Sequence, residues 1–226
     1  MKESLDYIYK EQKELSTLGG VGALLGWDQM TYMPKLGAVA RSEQSSIISR
    51  LYHEKIVSDG LWKHVKNLLK SNVYDGLSEK DKYVVKRLEK DLEKARKVPS
   101  DFVERMAKVT TLAYQAWEAA RQKNSYPVFS PHLEKIVKME KEYCDYIALP
   151  GSKYNSLLDD YEEGMTVDKL REEFKFLKSE LVKMLEKIKS SQVFNDQQDL
   201  NIKFDSETQR KICEMIFEKL NFRPNG

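Results

Sequence analysis

The sequence predicts an all-α fold, a multi-helix, non-repeating assembly of about nine helices with a hairpin-like C-terminal part. Three observations carry that expectation. Apolar residues recur at three- and four-residue steps along almost the whole chain. Ten glycines and six prolines are few for 226 residues, and they fall mostly between the periodic segments. No run alternates apolar and polar residues over strand length, apart from the weak pattern Leu200, Ile202, Phe204.

Each element has a local reason. Leu5, Ile8, Gln12, Leu15 and Leu18 define a first helix, expected to end at Gly19-Gly20. A second runs from Val21 to Tyr32 and stops before Pro34, because a residue preceding proline avoids the helical region. Ala38 to about Ser58 is a third, with Ile47, Ile48, Leu51 and Ile56 as its apolar side. Leu61, Val65, Leu68 and Leu69 mark a fourth helix reaching Val73. Ser78 caps a fifth through Val84, Val85, Leu88 and Leu92 to Pro99. Ser100 is the expected cap of a sixth, which ends at Lys123. Ser130-Pro131 is the expected start of a seventh, running to Ala148, since proline fits the first helical turn. Thr166 precedes a stripe of Val167, Leu170, Phe174, Leu177, Leu181, Met184 and Ile188, a heptad seam. Ser206 with Gln209 predicts a capping box for the last helix, to Leu220. No composition break divides the chain, so residues 1–226 are read as one helical region.

Composition narrows the function. Lys and Arg total 38 against 36 Asp and Glu, a formal charge of +2, which argues against a nucleic-acid binder. The Lys-rich helix from Lys80 to Lys97 interleaves Glu89, Asp91 and Glu93, as a solvated face does. The start alternates charged and apolar residues, and the uncharged run Leu15–Trp27 is too short for a membrane span. With no export signal read and two cysteines, a cytoplasmic location is expected, with Cys144 and Cys213 as buried, inert thiols.

Histidines test for metal chemistry. His53-Glu54-Lys55-Ile56-Val57 begins like the zinc motif H-E-x-x-H, but Val57 stands where the second imidazole is required. His64 and His132 have no partner at ligand spacing. Chemistry-bearing residues instead lie in apolar surroundings: Trp27 and Asp28 in a short apolar stretch, Arg41, Trp117 with Arg121 one turn on, and Tyr154 with Asp159. A buried Asp needs a cation or several hydrogen bonds, and Asp28 is expected to be buried and paired with Arg41 or Arg121. These residues form either a cleft lining or a structural charge cluster.

Taken together, the segments resemble the thermostable carboxypeptidase Taq family of zinc metallocarboxypeptidases. The resemblance rests on Leu25-x-Trp27-Asp28-Gln29-x-Thr31-Tyr32-Met33-Pro34, Gly37-Ala38-x-Ala40-Arg41-x-Glu43-Gln44 and Arg50-Leu51-x-His53-Glu54. It continues through Ala116-Trp117-x-x-Ala120-Arg121, Phe129-x-Pro131-x-Leu133-x-x-Ile136-Val137 and Tyr154-x-x-Leu157-Leu158-Asp159-x-Tyr161-Glu162-x-Gly164. Lys35-Leu36, Asn155 and Glu163 depart from the family pattern.

The resemblance implies a parent enzyme that removes C-terminal residues from peptide substrates, with zinc or another divalent metal as cofactor. It covers roughly the N-terminal half of a family chain and stops before the H-E-x-x-H region. No catalytic or metal residue carries over, and no cofactor is expected in these 226 residues. The role implied is scaffold and one wall of the substrate groove. A homo-oligomer formed through exposed apolar faces is a further expectation, and a freestanding interaction or dimerisation module using the Val167–Ile188 seam is the alternative.

Overall fold

Two glycines in mid-pattern do not stop the first helix. In the computed structural model, which describes residues 1–192 and 203–222, α1 runs unbroken over Lys2–Thr31. The expected break at Gly19-Gly20 is therefore corrected. Each glycine costs about 1 kcal/mol relative to alanine in a helix, and packing of both flanks against neighbouring helices outweighs that. Ile8 and Leu15 on one flank are buried. On the other, Gly22 lies beside the Ile48 side chain of α2 (Ala38–Ile56). α1 ends where expected, with the amides of Tyr32 and Met33 both donating to the Asp28 carbonyl ahead of Pro34.

α2 follows a single 3₁₀ turn, Lys35–Gly37. Its buried face is not the predicted isoleucine side: Ile47 and Leu51 are exposed, and Ala38, Ser42, Ser46 and His53 are buried. The hydroxyls of Ser42 and Ser46 donate to the Val39 and Glu43 carbonyls of their own helix, at 2.7 and 2.9 Å. So satisfied, they pack as small residues and let α2 lie close to α1 and α6 (Ser100–Lys123).

α3 (Asp59–Leu68) and α5 (Glu79–Ala95) close a core against α1 in which Ile8, Leu61, Val65, Val85 and Leu92 are wholly buried. Where one helix to Val73 was expected, α3 stops at Leu68 and a separate turn, α4 (Ser71–Tyr74), follows. Ser78 caps α5 as predicted, its hydroxyl accepting from the Asp81 amide. A second core joins Val98 and Phe102 to Met139 and Ile147 of α7 (Tyr126–Ile147).

Two helix starts differ from expectation. Ser100 is the first residue of α6, not its cap, because its hydroxyl is engaged by His53 Nδ1 at 2.9 Å. α7 begins at Tyr126, ahead of the predicted Ser130-Pro131. Pro127 occupies the first turn, and Pro131 lies inside the helix at the cost of one backbone bond. Asn124 and Ala148, both left-handed, end α6 and α7.

The chain divides into two units, Met1–Val167 and Asp168–Gly226. The first also holds α8 (Tyr154–Leu158). The second carries α9 (Val167–Lys189), from its second residue on, and α10 (Ser206–Lys219). The seam residues Phe174, Leu177, Leu181, Met184 and Ile188 are exposed. The cap of α10 is Asp205, whose carboxylate accepts from the Thr208 amide; the predicted capping box at Ser206 is not formed. Cys144 is buried, whereas Cys213 on α10 is exposed because the face it occupies is uncovered, which corrects the expectation of two buried thiols. The described residues contain no strand, and Leu200 and Ile202 lie outside them.

Candidate functional site

The sequence-selected residues occupy three separate places in the first unit. At the end of α1, Asp28 pairs with Arg41 Nη2 at 2.5 Å. The Arg41 guanidinium also donates through Nη1 to the Leu25 carbonyl and through Nε to Gln44 Oε1. This fork ties the last turn of α1 to the first turns of α2. Of the two charges, the arginine is the hidden one: its side chain is 11% exposed, against 35% for Asp28. Asp28 is thus paired as expected but only half-buried, because it lies at the outer edge of the α1–α2 contact. Trp27 points outward and meets Tyr32 edge-on.

On α6, Trp117 is exposed beside Tyr114. Arg121, one turn further, is exposed and has no ion pair among the described residues. It does not reach Asp28. Tyr154, at the start of α8, is exposed as well.

The third place is the turn around α8. Lys94 of α5 sits between Asp159 and Asp160, 2.7 and 2.6 Å from their carboxylates. Asp159 Oδ1 also accepts from the amide of Gly164, whose positive φ suits a glycine. Lys94 first and the Gly164 amide second hold the Asp159 carboxyl below the usual carboxylate range. Burial opposes the charge on Lys94, but its bonds to Asp159 and Asp160 outweigh that and raise its pKa. Asn155, buried, spans the same turn, donating to the Pro150 carbonyl and accepting from the Val167 amide. These contacts fasten the chain between α7 and Val167, so Asp159 is a turn anchor.

Sequence reasoning missed an adjoining cavity of about 460 Å³. Val98, Phe102, Val103 and Met106 give it an apolar lining, and Lys94, Glu140, Tyr143 and Asp160 line it as well, with Ser49, His53 and Thr110. Burial, assisted by Asp160, raises the pKa of both Glu140 and Tyr143. One signal was present: Ile136, Glu140, Tyr143 and Ile147 share a helix face by spacing, which sets an acid inside an apolar stripe.

No group of three His, Cys, Asp or Glu is arranged to hold a metal among the described residues. His53 is unsuited to ligation, since Nδ1 meets Ser100 Oγ and Nε2 meets the Ala95 carbonyl at 3.1 Å. His64 bonds Ser4 and stacks on Tyr7.

Residues 7–226 match the family model of the carboxypeptidase Taq (M32) metallopeptidases. The chain belongs to this family. Thermostable carboxypeptidase 1 of Pyrococcus furiosus is 28% identical over 221 residues, 97% of this chain and 44% of the relative. Its Thermus thermophilus namesake is 30% identical over 212 residues, 89% of this chain and 41% of the relative. Among solved structures, one described as BsuCP superposes with a TM-score of 0.90 at 26% identity, covering 96% of this chain and 44% of that one. A Pyrococcus furiosus carboxypeptidase in an Apo-Mg form gives 0.80 at 27% identity, covering 100% and 45%. The chain therefore spans less than half the length of the M32 relatives it matches. The family implies a metal, and the described side chains do not fit a zinc centre: no three candidate ligands come together and both His53 nitrogens are engaged.

Proposed function

We propose that these 226 residues act as the N-terminal scaffold and substrate-groove wall of an M32 metallocarboxypeptidase that releases C-terminal residues from peptides. The observation that carries this reading is a family match over residues 7–226 that spans only about 44% of its relatives, joined to a described chain with no metal-ligand cluster. In the whole enzyme the divalent metal, zinc by the family resemblance, is then held by residues outside this segment. Bound there, such a metal would supply Lewis-acid chemistry to a water and to the scissile carbonyl. What this segment contributes is rigidity: the Arg41 fork joins α1 to α2, and the Lys94 bridge fixes the α8 turn on α5. By itself the segment is inactive and remains in the cytoplasm.

The direct test is release of free C-terminal amino acids from a peptide mixture by the purified 226-residue chain, with and without added zinc. The expected result is release at the buffer rate in both. Metal-dependent release of single residues would overturn the proposal. A second reading has one observation in its favour, the exposed seam of α9: the segment serves as an association module. Light scattering separates the two, since concentration-dependent dimerisation lost in Leu177→Lys supports the module and a concentration-independent monomer excludes it.

A further inference from the structure

The cavity beside Glu140 has the volume of a small-molecule site, about 460 Å³, within the roughly 300–1,000 Å³ typical of such sites. Val98, Phe102, Val103, Met106 and Ala107 supply its apolar lining. Its polar lining is Lys94, Glu140, Tyr143 and Asp160 together with Ser49, Thr110 and the doubly engaged His53, and the charges do not balance. Glu140 and Asp160 line the cavity and Asp159 stands beside it, against the single cation Lys94.

Lys94 is already committed, since its ammonium bridges both aspartates. The Tyr143 hydroxyl is committed too, donating to Asp160 Oδ1 at 3.1 Å, the oxygen Lys94 also uses. Among the charged groups of the lining, Glu140 alone is left over. It makes no hydrogen bond and no ion pair among the described residues, although it is half-buried. Burial and the Asp160 charge raise its pKa, the mark of a carboxylate short of a cation. A neighbouring positive group would relieve both penalties.

That pattern selects among ligands. An anion would meet three carboxylates. A metal ion would find a single free carboxylate, because Lys94 occupies both aspartates, and no group of three His, Cys, Asp or Glu is arranged to hold one among the described residues. A neutral apolar molecule would fill the wall and leave Glu140 unpaired. We propose that this cavity binds a small organic cation with an apolar body, a primary amine whose ammonium pairs with Glu140 and whose hydrocarbon lies on Phe102 and Met106. The inference does not depend on the carboxypeptidase reading, because every group it uses lies within α5, α6, α7 and the α8 turn.

Phenethylammonium is a suitable probe, titrated calorimetrically into the 226-residue chain at neutral pH. Neutral 2-phenylethanol and anionic 3-phenylpropionate share its body and isolate the charge. Saturable one-to-one binding of the amine is expected, with the alcohol about tenfold weaker or more and no binding of the carboxylate. Glu140→Gln should weaken the amine about tenfold and leave the alcohol unchanged. Val103→Phe, which intrudes on the apolar wall, should remove binding of both. The proposal is overturned if the amine does not bind saturably, if the alcohol binds as tightly, or if either variant, shown folded by circular dichroism, keeps wild-type affinity for the amine.

Discussion

Removing the Asp28–Arg41 pair should cost less than its burial in the sequence pattern suggested. A fully buried pair broken on one side costs about 3–5 kcal/mol, and an exposed pair is worth about 0.2–1 kcal/mol. Here the arginine side chain is 11% exposed and the aspartate 35%, so water can reach the acid once its partner is gone. Arg41 would keep its bonds to the Leu25 carbonyl and Gln44 after Asp28 is neutralised. The coupling is therefore expected between the limits, about 1–2 kcal/mol. For a chain of this size that is a shift in Tm of about 3–6 °C. The assay is a double-mutant cycle with Asp28→Asn and Arg41→Gln, followed by urea unfolding with tryptophan fluorescence. Trp27, adjacent to Asp28, reports on the affected turn. A coupling above about 3 kcal/mol would mean that Asp28 is as desolvated as a core ion. A coupling indistinguishable from zero would mean that the fork does not join α1 to α2.

Three further outcomes are expected. Leu61→Ala, which opens a hole where α1, α3 and α5 meet, should cost about 2–5 kcal/mol, whereas Phe174→Ala on exposed α9 should stay within about 0.5 kcal/mol in the same unfolding assay. Asp159 has a folded-state pKa below its unfolded value, so its contribution is present above about pH 4 and lost as the pH falls through the folded pKa. Asp159→Asn should accordingly lower Tm at pH 7, and the difference from wild type should shrink in acid. Glu140 has the opposite sign, since its folded-state pKa is raised. Glu140→Gln should raise Tm at pH 7, with the gain vanishing as acid protonates the wild-type carboxyl.

What the sequence disclosed and what it hid divide along a physical line. The cap at Ser78, the end of α6 at Lys123 and the start of α9 at Val167 were legible, because caps and breaks act over three or four residues. α1 was not, because its continuity past Gly19-Gly20 depends on packing with other helices. The buried face of α2 was hidden for another reason. Ser42, Ser46 and His53 look polar in a list of residues and become core only when their polar atoms find bonds on α2, Ala95 and Ser100. For the site, the Asp28–Arg41 pair could be foreseen from opposite charges in apolar context. Arg121 could not be told from Arg41 as its partner until the helices were placed. The Glu140 cavity needs α5, α6, α7 and the α8 turn together, and no local spacing encodes that.

On the proposed reading, this segment of an M32 metallopeptidase holds its fold without supplying a metal centre. Zinc titration of the purified chain against a competing chromophoric chelator tests it most directly. The chelator is expected to retain the metal throughout, with the helical circular dichroism unchanged. Stoichiometric transfer of zinc to the protein would contradict it.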